Sequence, residues 1–308
     1  MTLVPTDPTA ERSLTTPDNL AVQSRGRPVV PGRSTLDLSR TAIAVTTTAL
    51  LVAALVLRGR LVVSFLVLAA IFVPLERRLP LRPQRVLRPR WRTDVVHFWV
   101  NNLLALVGVV AVLIPLIAVG RAILPAGVAA TVQSQPAGLR FLEALGLAEV
   151  CAYWSHRASH RVGILWRFHA IHHSIEELDW LAAARLHPVD QAFRQTCVAF
   201  PLLLLGFSRG TFVAVAGFFG FQAILVHSNV RITFGPLRWL IATPEFHHWH
   251  HSSDPAAYNS NFAGEFPLLD ALFGTLHLPR REWPAAYGID RSLPEGYLRQ
   301  LAVPFSGH

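Results

Sequence analysis

Histidine spacing is the feature of this chain that could do chemistry. His156 and His160 stand at i and i+4. His169, His172 and His173 stand at i, i+3 and i+4, and His247, His250 and His251 repeat that pattern. On a helix, residues three or four apart share a face, with Cβ atoms roughly 5–6 Å apart. Eight imidazoles therefore project from three helical faces. Packed together without a cation they would compete for partners, and protonated members would repel one another. Imidazole is the commonest metal ligand, so the spacing predicts a metal site. A zinc site normally takes about four ligands. Eight to ten histidines are too many for one ion and suit two. Zinc, copper, iron and nickel all accept imidazole. Neutral nitrogen ligands leave a metal pair strongly electrophilic, which suits dioxygen activation and attack on an unactivated C–H bond. A di-zinc hydrolase remains compatible with the same set.

The other histidines read differently. His187, in RLHPVD, and His227, in ILVHSNV, each follow apolar sequence at a predicted membrane edge. His248 lies off the face shared by its neighbours and is read as a supporting or surface residue. His97, His277 and His308 have no ligand spacing nearby and are read as ordinary surface or hydrogen-bonded residues. Asp190, Asp270, Glu176 and Glu177 also lack ligand spacing and are expected to orient imidazole N–H groups. Cys151 and Cys197 lie alone in apolar segments, with no CxxC pattern, and are read as free buried thiols.

The elements that must position these groups are apolar. Hydrophobic residues make up 52% of the 308 and charged residues only 15%; mean hydropathy is +0.37. Such a composition points to membrane residence. Residues 1–40, rich in Pro, Ser, Thr and Arg, read as a disordered tail without a secretory signal. Two apolar runs, 41–57 and 61–75, are split by Arg58-Gly59-Arg60 and fall a little short of the ~20 residues that span a bilayer. They are expected to form a helical hairpin or a re-entrant pair. Residues 76–92 are dense in Arg and Pro. The stretch 95–120 is long enough to span, and Asn101 and Asn102 within it need partners in the bundle. A Pro/Gly/Ala-rich link (121–138) follows. The apolar 141–154 should continue as one helix into His156. The runs 196–207 and 211–226 predict a second hairpin.

The expected organisation is a tail (1–40), N-terminal membrane helices with an Arg-rich loop (41–138), a di-metal catalytic region (139–280) and a C-terminal tail (281–308). The net charge of +9 comes from arginine without lysine. Because the arginines flank apolar runs, the positive-inside rule accounts for them better than nucleic-acid binding does. That rule places 1–40, 76–92, 156–194 and 227–308 in the cytoplasm, with Arg58 and Arg60 in mild opposition. The fold class is thus an all-α integral-membrane bundle with a cytoplasmic histidine-rich helical cap, in a bacterial cytoplasmic membrane.

HRASH (156–160), WRFHAIHHS (166–174), RLHP (185–188), FQAILVHSNV (221–230), TPEFHHWHHS (243–252), NSNF (259–262) and LLDALFGT (268–275) run in an order that resembles the fatty acid hydroxylase / sterol desaturase superfamily of membrane di-iron oxygenases. The resemblance covers about residues 150–280. It implies two iron ions cycling between Fe2+ and Fe3+, O2 as co-substrate, and hydroxylation or desaturation of a lipid. It also implies the ligands His156, His160, His169, His172, His173, His247, His250 and His251, with His187 and His227 at positions where family members carry histidine. Two departures stand out. His248 replaces a frequent Arg, and Asn259-Ser260-Asn261-Phe262-Ala263 replaces an Asp-x-Asn-Tyr-Gly pattern, so a locally altered loop is expected at Ala263.

Neither a Gly-rich dinucleotide fingerprint nor a fused b-type cytochrome is present. A separate ferredoxin, rubredoxin or b-type cytochrome with its reductase is therefore expected to supply electrons. The loop 76–92 either fixes topology alone or docks an acidic carrier. A haem-binding electron carrier would place paired histidines within its spans, and a metal transporter would place ligands near the bilayer midplane. Here the histidines sit at the predicted ends.

Overall fold

The first two helices show what the apolar sequence builds. In the computed structural model, which describes residues 59–306 apart from 126, 280 and 281, helix α1 spans Gly59–Arg78 and α2 spans Trp91–Ile123. The expectations for 1–40, for the run 41–57 and for its hairpin with 61–75 fall outside the described residues. Both helices turn large apolar side chains outward. Leu66 and Ile71 on α1, and Val107, Val112, Ile114 and Val119 on α2, are exposed. Phe72 on α1 faces inward and is fully buried beside Trp180 and Leu181. A helix that is apolar on its outer face as well as its inner one matches a bilayer environment rather than water.

The chain continues through α3 (Val128–Ser134), α4 (Ala137–Arg161), α5 (Gly163–His173), α6 (Pro188–Leu204), α7 (Arg209–His227), α8 (Pro244–His250), α9 (Leu268–Leu272) and α10 (Tyr297–Ala302). Among the described residues there is no strand, only the isolated bridges Pro80–Val230 and Ser252–Tyr287. Among the described residues two helices, α2 and α7, are long and apolar enough to cross a membrane.

The link read at 121–138 is shorter in the structure, because α2 runs to Ile123 and α4 begins at Ala137. As expected, α4 carries both His156 and His160 on one uninterrupted helix. The α6–α7 hairpin also forms. Its turn is closed by Gly206 at φ +81°, where the N–H of Phe207 donates to the carbonyl of Leu202 over 3.1 Å. A side chain at Gly206 would meet Ala129 at 2.5 Å, so glycine serves both the left-handed cap and the close approach of α3.

α6 packs against α2 and α4, and α4 also meets α5 and α7. Ala144 and Ala148 of α4 let Leu202, Phe207 and Val215 approach closely, a use of small residues common between membrane helices. A second cluster of Tyr153, Val226, Ala242, Phe246, Phe262 and Leu278 lies where the ends of α4, α7 and α8 meet. It is the floor on which the histidines stand.

α2 carries a π-helical turn at His97–Asn101. The Nδ1–H of His97 donates to the Leu186 carbonyl over 3.0 Å, its Nε2 lies 2.8 Å from the Gln300 side-chain amide, and Asn101 donates to the same Leu186 carbonyl. Tyr297 donates to Asn101 over 2.8 Å, and Asn102 donates to the carbonyl of Phe98. Both asparagines thus find the partners that an apolar helix requires of them. Residues 281–308, read from sequence as a tail, instead carry α10, and Gln300 is fully buried against α2.

Candidate metal centre

Three short sequence rules build the site. Arg161 ends α4, and extended Val162 starts α5 at once, so HxxxH and the first HxxHH face each other across a tight corner. α8 begins at Thr243, whose side chain accepts the Phe246 N–H over 3.2 Å, with Pro244 in the first turn. That cap sets the rotation of the second HxxHH. His227 comes from the last residue of α7.

The nine histidines gather into two sets. His156, His160, His169, His173 and His250 form the first, and His172, His227, His247 and His251 the second. Within each set one ring nitrogen per residue lies within 4.8 Å of all the others. Each HxxHH divides between them: His169 and His173 face one set and His172 the other, while His250 faces the first and His247 and His251 the second. The sets adjoin, with the His173 and His251 rings stacked at 4.5 Å.

The hydrogen bonds around the rings fix where their lone pairs point. A carbonyl only accepts, so a ring nitrogen beside one must carry the proton. His156 Nδ1–H donates to the Phe262 carbonyl over 2.8 Å, and His250 Nδ1–H to that of Ser260 over 2.8 Å. His172 Nδ1–H donates to the Arg185 carbonyl over 3.1 Å, and His169 Nδ1–H to the Asp190 carboxylate over 3.0 Å. The opposite nitrogens of these rings are therefore lone-pair donors aimed at the site, the usual arrangement of metal-bound imidazole. In the first set, Nε2 of all five rings is buried without a hydrogen-bond partner. In the second, the Nε2 atoms of His172 and His227 face each other at 3.1 Å, although each ring has its Nδ1 beside a carbonyl. Two lone pairs at that separation do not bond. An unsatisfied buried polar atom costs about 1–3 kcal/mol, and five in one place call for a cation. The residues present fit two metal ions.

Electrostatics agree. Burial, and next to it the neighbouring imidazoles, holds His172, His173, His247 and His251 well below the usual histidine range. His250 is pushed down to about 3, by burial first. These rings stay neutral, as ligands must be.

Other residues singled out in the sequence lie elsewhere. His187 stands outside both sets. Its Nδ1 accepts the Val189 N–H over 3.1 Å as the cap of α6, and its Nε2–H donates to Leu301 over 3.3 Å, so both ring nitrogens are engaged. His248 is buried rather than on the surface. Tyr287 donates to its Nδ1 over 2.7 Å, and its Nε2–H donates to the Ser228 carbonyl over 3.1 Å. Asp190 orients His169 as expected. Asp270 acts one step back: it accepts the N–H groups of Phe262 and Ala263, both over 2.8 Å, and so holds the carbonyl that His156 uses. Glu176 and Glu177 do not orient imidazoles. Glu176 is exposed, 4.0 Å from Arg90.

Sequence reasoning missed the carbonyls of Ser260, Phe262 and Arg185. A signal for the first two was present. Asn259 and Asn261 alternate in NSNF and adopt φ of 59° and 57°, a conformation that asparagine tolerates better than most residues. Ala263 is not among the residues with positive φ, so alanine fits where a glycine was noted as absent.

Residues 141–275 match the fatty acid hydroxylase family model. That model belongs to the same superfamily that the histidine motifs resemble. The chain is similar to an ornithine lipid hydroxylase of Rhizobium tropici, at 37% identity over 171 residues, covering 56% of this chain and 52% of that protein. It is also similar to an alkylglycerol monooxygenase of Xenopus tropicalis, at 30% identity over 137 residues, 44% of this chain and 30% of that one. A very-long-chain aldehyde decarbonylase of Oryza sativa is 28% identical over 142 residues, 42% and 22% of the two chains. The chain thus spans about half or less of the length of these relatives. No solved structure matches it.

Proposed function

We propose that this protein is a membrane-bound di-iron oxygenase that hydroxylates, or desaturates, an alkyl C–H of a lipid. The observation that carries this reading is the pair of adjoining all-imidazole sets, buried at the ends of apolar helices. Iron held there would supply O2 activation and C–H cleavage. The protein's own residues aim the imidazoles at the two sites. Asp190, Asp270 and the carbonyls of Arg185, Ser260 and Phe262 hold the rings, and burial excludes bulk water from them. Hydroxylation consumes one O2, two electrons and two protons and yields the alcohol and one water. The electrons come from a separate carrier.

The names of two relatives, an ornithine lipid hydroxylase and an alkylglycerol monooxygenase, favour a long-chain acyl or alkyl lipid over a sterol or other isoprenoid substrate. Such a chain can reach the site from the bilayer without leaving apolar surroundings. The positive-inside distribution of arginine supports a site on the cytoplasmic face of a bacterial membrane.

The test is metal content of the detergent-purified protein from iron-supplemented cells. About two iron per chain, lost together with O2-dependent product in His172→Ala or His250→Ala, is expected from the ligand count. Zinc retained in iron-rich medium, with product formed without O2, would make the protein a hydrolase instead.

A further inference from the structure

We propose that the cleft of about 950 Å3 between the 82–93 loop, Glu176–Glu177 and Tyr287 is the docking seat of the acidic one-electron carrier protein that reduces the metal centre. This rests on the oxygenase reading and names the partner of that same site.

Arginine charge is the first observation. Arg82, Arg85, Arg88, Arg90 and Arg92 all line the cleft. Arg88 is committed internally, to Asp94 and Asp179 at 2.7 Å each. Arg90 is steadied by Glu295 at 3.5 Å and Glu176 at 4.0 Å. Arg85 and Arg92 are exposed, and no described carboxylate pairs with either. The topology rule asks only that arginine be on this side. It does not ask that unpaired arginines rim a concavity. Such a rim attracts an acidic partner and speeds encounter.

The floor of the cleft is the second observation. Arg82 lies over the Tyr287 ring at 4.3 Å and donates to the carbonyls of Pro284 and Ala285, which pins the segment before Tyr287. The Tyr287 hydroxyl donates to His248 Nδ1 over 2.7 Å. His248 is peptide-bonded to His247, and its Nε2–H donates to the carbonyl of Ser228, the residue after His227. Both neighbours belong to the second imidazole set. One hydrogen bond and one peptide link therefore join the cleft floor to the site. A seat for anionic lipid headgroups would gain nothing from that connection; a seat for an electron donor would. In each encounter the reduced carrier loses one electron and the centre gains it, twice per lipid oxidised, with protons drawn from solvent.

The experiment uses the full chain in phosphatidylcholine nanodiscs, with an acidic [2Fe–2S] ferredoxin and its reductase as donor. Ferredoxin binding is measured on metal-free protein, and turnover on iron-loaded protein with either ferredoxin or dithionite. The Arg85→Glu/Arg92→Glu double variant should bind ferredoxin about tenfold or more weakly, an effect largest at low salt. Its KM for ferredoxin should rise to match, with dithionite-driven turnover unchanged. Tyr287→Phe should keep the affinity and slow reduction by ferredoxin alone. Unchanged binding in the double variant overturns the seat. An equal loss of dithionite-driven turnover assigns the cleft to the substrate and overturns it too. Retained ferredoxin binding with loss of co-purifying anionic lipid would give it to headgroups. An unchanged rate in Tyr287→Phe overturns the route through His248. Absence of iron and product in the unaltered protein would defeat the oxygenase reading, while the binding arm on metal-free protein would still report on the seat.

Discussion

Asp190 and His187 sit three residues apart at the start of α6 and divide two jobs that look alike in sequence. Asp190 holds His169 by hydrogen bond. Asp190→Asn should leave the fold intact and weaken metal binding by about 10–100-fold, the usual effect of losing a group that orients a ligand; metal titration with a competing chelator reads it. His187→Ala should do the reverse. Removing a helix cap costs about 1 kcal/mol, so thermal stability falls while the metal-to-protein ratio stays at that of the unaltered chain. Loss of metal in His187→Ala would restore it as a ligand. Glu265 offers a pH test. Burial, with Glu149 next, raises its carboxyl to about 9. Between the ordinary value of 4.5 and about 9 the unfolded chain has released this proton and the folded chain has not, so stability falls as pH rises through that window. Glu265→Gln should remove this part of the slope, raising the melting temperature at pH 8 and having little effect near pH 4.

At the scale of elements, the loop 259–263 does what a helix cannot. It brings two carbonyls, of Ser260 and Phe262, against rings from α8 and α4. Asn261 fixes its shape, donating to the carbonyls of Phe246 and His277 and accepting the His277 N–H, each over 2.8 Å. Asn261→Ala should cost about 2–4 kcal/mol through lost hydrogen bonds and a strained positive φ, and thermal unfolding followed by circular dichroism would show it. The helices themselves were legible. Spacing rules report helical faces, and HxxxH lies on α4, the first HxxHH on α5, and the second on α8 and the residue that caps it. His227 has no partner within its own helix, so its place came from the family resemblance rather than from periodicity. Its ring orientation, and those of His156 and His250, are set by backbone carbonyls from four to about a hundred residues away. A carbonyl has no side-chain identity and leaves no letter in the sequence. The fold-back of α10 escaped for a related reason: what docks it is Gln300 and Tyr297, whose partners His97 and Asn101 lie some two hundred residues earlier.

Across the whole molecule, a buried charge lattice ties the segment 179–185 to α2. Asp94 of α2 takes Arg88 at 2.7 Å and Arg185 at 2.5 Å, and Arg88 also takes Asp179. All four groups are almost wholly buried. Breaking such a set by removing one partner leaves an uncompensated charge and costs about 3–5 kcal/mol. Asp94→Ala should therefore be among the most damaging changes outside the histidines. Because Arg185 also lends its carbonyl to His172, metal content should fall along with thermal stability. Unaltered metal content in a destabilised Asp94→Ala protein would show that the lattice and the site are independent.

The loop 259–263 also has a consequence for how the protein is made. All nine clustered histidines precede residue 252, and the carbonyls that fix two of them follow it. A chain emerging from the ribosome therefore holds all nine histidines before it holds the two carbonyls that aim His156 and His250. The five-member set, which contains both rings, reaches its final geometry only when the next stretch of synthesis has followed, while the four-member set needs nothing beyond residue 251.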